Sequence, residues 1–229
     1  MVHHLSQTLA DSLLVFTCRY AIVPVQAYLL RFSAPPPLLA IALRHLEQSG
    51  ALLPVSAGPA AFAVRREGLE RAGLPFAPAK TPSPLMRHFC AVAWAGAWLE
   101  RTAAGRWTVL CEREIRAGAF GRPLADPGGG GGRIPDLLLR RGERFLGVEV
   151  ELSLKGRRRL AAALDAWSCR SGGAPLLYLV PPRLAGALER SLPPYPPGLT
   201  VLSLPPLAAF STVGGEREGG NCKGLRRQR

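Results

Sequence analysis

Two runs decide the reading of this chain. They are Arg133-Ile134-Pro135-Asp136-Leu137-Leu138-Leu139 and Phe145-Leu146-Gly147-Val148-Glu149-Val150-Glu151-Leu152-Ser153-Leu154-Lys155. Both are apolar and strand-like, and Arg140 to Arg144 makes the short turn between them. In a strand, side chains two apart share a face. Glu149 and Glu151 therefore point one way, and Val148, Val150 and Leu152 the other. If the runs pair as a hairpin, Asp136 comes close to the glutamates. Three carboxylates brought together repel one another and are costly to keep without a cation. A hard divalent ion such as Mg2+ takes oxygen ligands of this kind. The plainer reading makes the glutamates the solvated face of an edge strand and Asp136 a turn residue. Against it stands Lys155-Gly156-Arg157-Arg158-Arg159, which opens an Ala/Leu-rich helix. Cations at a helix start oppose the helix dipole, so this choice points to a phosphate partner.

The surrounding composition sets the bounds. The chain has 229 residues, enough for one large domain or two small ones. Hydrophobic residues make up 48%, which is ample for a core. The net charge of +13, mostly from arginine, favours polyanions, nucleic acid first and an anionic membrane surface second. The cysteines, Cys18, Cys90, Cys111, Cys169 and Cys222, are odd in number and never in a C-x-x-C pair. Neither a zinc site nor a disulfide framework is expected. The apolar stretch Leu13 to Phe32 is broken by Arg19 and Pro24, so no membrane span is expected and a cytoplasmic protein is the default. The run Gly128 to Gly132 is not a phosphate-binding P-loop, because it lacks the following Lys and Ser/Thr and leads into a strand.

Upstream, residues 1–74 read as three helices and a hairpin. Helical spacing covers Leu9 to Arg19, Pro24 starts a second helix, and a third runs from Leu38 to Gln48 and stops at Gly50. Its apolar stripe is Leu39, Ala42, Leu43 and Leu46. Strands 51–55 and 61–64 bracket a turn, and a short helix follows over 65–72. This is the winged helix-turn-helix order. The third helix offers Arg44, His45 and Gln48 to DNA bases, though its N-terminal end, Pro-Pro-Pro-Leu-Leu, lacks the polar side chains that reach base edges. Arg65 and Arg66, past the wing, are placed to hold phosphates.

Residues 75–84 read as a proline-rich linker. Residues 85–213 then follow as a helix over 85–100, a strand over 107–115, strands 134–139 and 145–152, a helix over 155–169, a strand over 175–180, a helix over 183–192 and a strand over 199–204. Residues 214–229 read as a basic, disordered tail. Glu112 and Glu114 fall on the first strand and read as its solvated face. His88, on the first helix, reads as a packed histidine more readily than as a base.

The αβββαβ order, with Pro135-Asp136 on one strand and Glu149-Val150-Glu151 on the next, resembles the PD-(D/E)xK nuclease superfamily. The whole chain resembles the replication-relaxation family of bacterial mobile elements, which joins a winged helix to such a domain. The matching segments are Met86-Arg87-His88, Cys111-Glu112-Arg113-Glu114-Ile115-Arg116, Ile134-Pro135-Asp136, Val148 to Lys155 and Tyr178-Leu179-Val180-Pro181-Pro182. The resemblance implies an α/β (α+β) fold and a DNA-binding role in plasmid or integrative-element replication, DNA relaxation or mobilisation. It implies duplex DNA as partner, along with a relaxase or replication protein.

In the superfamily the Asp and first Glu hold Mg2+, and a Lys two residues on assists the attack of water. This chain has Glu151 at that place. Were it a nuclease, Asp136, Glu149 and Glu151 would surround Mg2+, Lys155 would replace the missing lysine, and Arg157 and Arg158 would hold neighbouring phosphates. Two alternatives stand beside a DNA-binding role. One is an active Mg2+-dependent endonuclease, and the other a winged-helix transcription regulator whose second domain forms a homodimer.

Overall fold

The computed structural model describes residues 2–56, 59–80, 85–103, 105–119, 134–153, 157–191 and 198–206. Lys155, the glycine run 128–132 and the tail from residue 214 lie outside the described residues, as do the side chains of Arg157 and Arg158.

The first half contains α1 (Val2–Tyr20), β1 (Ile22–Pro24), α2 (Val25–Phe32), α3 (Pro36–Gln48), β2 (Leu52–Ser56), β3 (Ala60–Val64) and α4 (Arg66–Ala72). Helix α3 begins on Pro36 and Pro37, where missing N–H groups cost nothing, and buries the expected stripe Leu39, Ala42, Leu43 and Leu46. The short strand β1 was not anticipated. Helix α1 ends as the Ala21 N–H donates to the Thr17 carbonyl, and Ala21 turns at φ 67. That turn delivers Ile22–Pro24 to the edge of β3, where they pair antiparallel and give the sheet order β1-β3-β2.

The second half contains α5 (Met86–Thr102), β4 (Thr108–Cys111), α6 (Glu112–Arg116), β5 (Leu137–Arg141), β6 (Arg144–Val150), α7 (Arg157–Ser171), β7 (Leu176–Val180), α8 (Pro182–Ser191) and β8 (Leu199–Ser203). Its five strands lie in the order β4-β5-β6-β7-β8. The first three are antiparallel, while β6, β7 and β8 run parallel. The sequence had placed residues 107–115 in one strand. Instead β4 stops at Cys111, and Glu112 and Glu114 sit on α6. The cause is local: the Glu114 Oε2 carboxylate accepts the Cys111 N–H at 2.9 Å and closes the first helical turn.

Strand alternation divides the larger sheet's two faces. Leu137, Leu139, Val148, Val150, Leu177 and Leu179 join the core containing Ala91, Ala95 and Leu99 of α5. Leu138, Leu176, Tyr178 and Val180 pack with Leu160, Leu164 and Trp167 of α7. Gly147 lets α7 approach β6, since a Cβ there would stand 2.6 Å from Trp167 Cζ2 and 2.9 Å from Leu176 Cδ1. The first of these cores also takes in Leu13, Phe16, Tyr28, Leu39 and Leu46, so it runs unbroken into the first half.

Polar contacts fasten the same junction. Arg19 of α1 donates from Nε to Glu114 Oε1 at 2.8 Å, from Nη1 to Glu100 Oε1 at 2.6 Å and from Nη2 to the Val109 carbonyl at 2.7 Å. Arg31 of α2 pairs with the other oxygen of Glu100. Arg113 donates to the carbonyls of Cys18 and Ala77 and lies over the Phe76 ring. Among the described residues, no helix is long and apolar enough to cross a membrane.

Candidate functional site

The hairpin register brings the acids together. Leu137 pairs with Val148, so the next pair outward is Asp136 and Glu149. Asp136 sits in the bend before β5, held by the Glu112 N–H donating to its carbonyl at 3.0 Å. Its side chain is fixed at both oxygens. Oδ2 accepts the Val150 N–H at 2.8 Å, and Oδ1 lies 3.0 Å from His88 Nε2 of α5. Glu149 stands beside Tyr178 in the parallel ladder. Glu151 lies just beyond β6, where its N–H still donates to the Leu179 carbonyl at 2.9 Å. Its Oε1 accepts both the N–H and the hydroxyl of Ser153 at 3.2 Å. The two glutamates are only 8% and 9% exposed, so neither is a solvated strand position.

His88 registers the combined field of these groups. Burial pulls its pKa down, but the hydrogen bond and charge of Asp136, with the charges of Glu149 and Glu151, outweigh it and raise the value above 6.5. In its protonated form His88 is a counter-charge to the Asp136 carboxylate. The sequence reading had treated His88 as a packing residue. It is a half-buried partner of Asp136, reached across 48 positions of sequence.

For Mg2+ the donors suit the chemistry, but their arrangement does not fit. Both oxygens of Asp136 are already engaged by His88 and the Val150 N–H. Among the described residues, no group of three or more His, Cys, Asp or Glu stands close enough to share an ion. Glu112 and Glu114 are also engaged elsewhere. Glu112 pairs with Arg116 at 2.6 Å, and Glu114 with Arg19.

The expected DNA-facing residues belong to the first half. Arg44, His45 and Gln48 are exposed on α3, and with Ile41 they follow the i, i+3, i+4, i+7 spacing of a single helix face. Ile41 is 54% exposed, an apolar residue that the sequence reading did not single out. Arg65, the residue before α4, and Arg66, the first residue of α4, are exposed as well, and Arg65 Nε lies 3.8 Å from Glu67 Oε2.

The chain matches no protein-family model, and a search of curated proteins found no match.

Proposed function

We propose that this protein binds duplex DNA through the exposed face of α3 and the arginines that follow β3. Its second half is a nuclease-like domain that contributes binding or assembly. The observation that carries the reading is the exposed row Ile41, Arg44, His45 and Gln48, with Arg65 and Arg66 exposed on the same half. The net charge of +13 supports it. The order helix, strand, helix, helix, hairpin, with β1 added to the hairpin, supports a winged-helix reading of this half. The order of α5, three antiparallel strands, α7 and a parallel strand supports a restriction-endonuclease-like reading of the other. A role in replication, relaxation or mobilisation of a plasmid or integrative element rests on the resemblance described above.

Cleavage is not part of this reading, because among the described residues no three His, Cys, Asp or Glu side chains stand close enough to share an ion. The test is fluorescence anisotropy with a duplex oligonucleotide over a salt series. Log affinity is expected to fall with log salt by about 0.9 per phosphate contacted. Arg44→Ala combined with Gln48→Ala should weaken binding about 10-fold or more, as loss of base contacts does. Binding that is flat in salt refutes the reading. Supercoiled plasmid should stay intact with Mg2+, with Mn2+ and with EDTA, and metal-dependent nicking would replace this reading by the endonuclease one.

A further inference from the structure

We infer that Ile41 fixes part of the DNA sequence that α3 selects: the apolar end of its exposed face reads the C5-methyl group of a pyrimidine in the major groove. The inference rests on the DNA-binding reading and deepens it by naming the base chemistry this face recognises.

The face has two chemically different ends. At about 100° per residue, Pro37, Ile41, Arg44 and Gln48 fall along one line of α3, opposite the buried stripe Leu39, Ala42, Leu43 and Leu46. Ala40 is exposed beside that line. The half nearer the helix N-terminus therefore offers only carbon, from Pro37, Ala40 and Ile41. Hydrogen-bonding side chains begin at Arg44, about two turns in. Glu47, the acid of α3, lies about 100° round from Gln48 and off the line.

Nothing inside the protein asks for isoleucine at position 41. The side chain is 54% exposed, so packing does not select it. Helix propensity does not either, since Ile is a poorer helix former than Ala, Leu, Lys or Gln. A lone exposed apolar residue is ordinary on a protein surface. This one continues an apolar end and stands one turn before an arginine, on a face that the core anchoring of α3 holds outward. Branching at Cβ leaves Ile essentially one χ1 rotamer in a helix, so little side-chain freedom is lost when it meets a rigid partner.

The major groove supplies such a partner. Most base-edge groups there are hydrogen-bond donors and acceptors. The apolar one is the C5-methyl of thymine, and 5-methylcytosine carries the same group. An apolar side chain gains by touching it, whereas against a polar edge it would desolvate donors and acceptors without replacing their bonds. The rest of the row fits the same groove, since Arg pairs with guanine and Gln with adenine. Ile41 to Gln48 spans about 10 Å at roughly 1.5 Å per residue, which covers about three base steps of roughly 3.4 Å. The net charge of +13 and the arginine on the row favour this polyanion over an apolar protein partner.

The experiment titrates the full chain with an alternating dA–dT duplex and with the same duplex carrying dU for every dT, at one salt concentration. Every register of the first presents methyl groups and no register of the second does. A parallel pair compares an alternating dG–dC duplex with its form methylated at C5 of every dC. Wild type is expected to bind the dU duplex about 4-fold more weakly, the value of one buried methyl. Ile41→Ala should bind the two alike, and Leu202→Ala, an exposed apolar control on β8, should keep the wild-type ratio. The wild-type comparison needs no variant, so it stands whatever the fold of Ile41→Ala. Tighter binding on methylation of dC, without a loss from dT to dU, assigns the same contact to 5-methylcytosine. Salt-dependent binding by wild type that ignores both methyl changes overturns the inference and leaves the DNA reading standing. A methyl preference that persists in Ile41→Ala also overturns it, since the group is then felt elsewhere. No salt-dependent binding by wild type overturns both readings, and a dimer that Ile41→Ala dissociates in sedimentation would then make this face a contact between two copies.

Discussion

Arg19 joins the two halves of the molecule, and its removal has a calculable cost. Replacement by Met keeps much of the side-chain volume but strips charge partners from Glu100 and Glu114. The three side chains are 17%, 10% and 21% exposed, so the cluster is mostly desolvated. Removing one member of a buried pair costs about 3–5 kcal/mol. Glu100 retains Arg31, and Glu114 retains the Cys111 N–H, so the loss falls at or below the bottom of that range. The expected loss is about 2–3 kcal/mol. In a chain of this size that lowers the melting temperature by about 4–12 °C. A double-mutant cycle isolates the pair. Urea denaturation of Arg19→Met, Glu114→Gln and the double variant should give a coupling energy of about 1–3 kcal/mol. If the single losses add to within about 0.5 kcal/mol, Arg19 and Glu114 do not couple and the argument is wrong.

Two other expectations concern the hairpin. His88 has a folded pKa raised above 6.5, so the stability it contributes is fully present below that value and is lost as pH rises through the folded pKa. NMR titration should place His88 above about 6.5, and His88→Gln should flatten the fall in stability on the alkaline side. A titration below that value would remove the carboxylate field from the account. Gly147→Ala should destabilise by about 1–3 kcal/mol, because its methyl group would collide with Trp167 and Leu176. An unchanged thermal melt would mean that α7 gives way freely.

The hairpin was legible because its alternation is long and its turn is polar. Even so, β5 begins at Leu137 and not at Ile134, since Asp136 bends to cap the Val150 N–H. Residues 111–115 misled because Cys-Glu-Arg-Glu-Ile alternates like a strand. The same letters place Glu114 three residues after Cys111, the spacing of a capped helix start, and Arg116 four after Glu112. Strand β1 had no local signature, because three residues become a strand only by pairing with β3. The His88–Asp136 contact is a product of tertiary folding and left no trace in spacing. Arg19 did leave one, as a cation set within a largely apolar stretch, but its partners lie far along the chain.

Helix α5 has consequences for how such a chain can be recombined. Its buried residues, from Ala91 to Leu99, share one core with Tyr28 and Leu39 of the first half and with Leu137 and Val148 of the larger sheet. The proline-rich stretch before it looks in sequence like the natural place for a crossover. A graft joined there would leave the first half with an open apolar flank and hand the recipient a helix shaped for another partner. Gly96 sharpens the mismatch, since a Cβ at that position would stand 2.1 Å from the Tyr20 hydroxyl of α1. The piece of the chain that can be inherited intact by a new partner must therefore extend at least through Thr102, and the sheet that receives it must be refitted to α5.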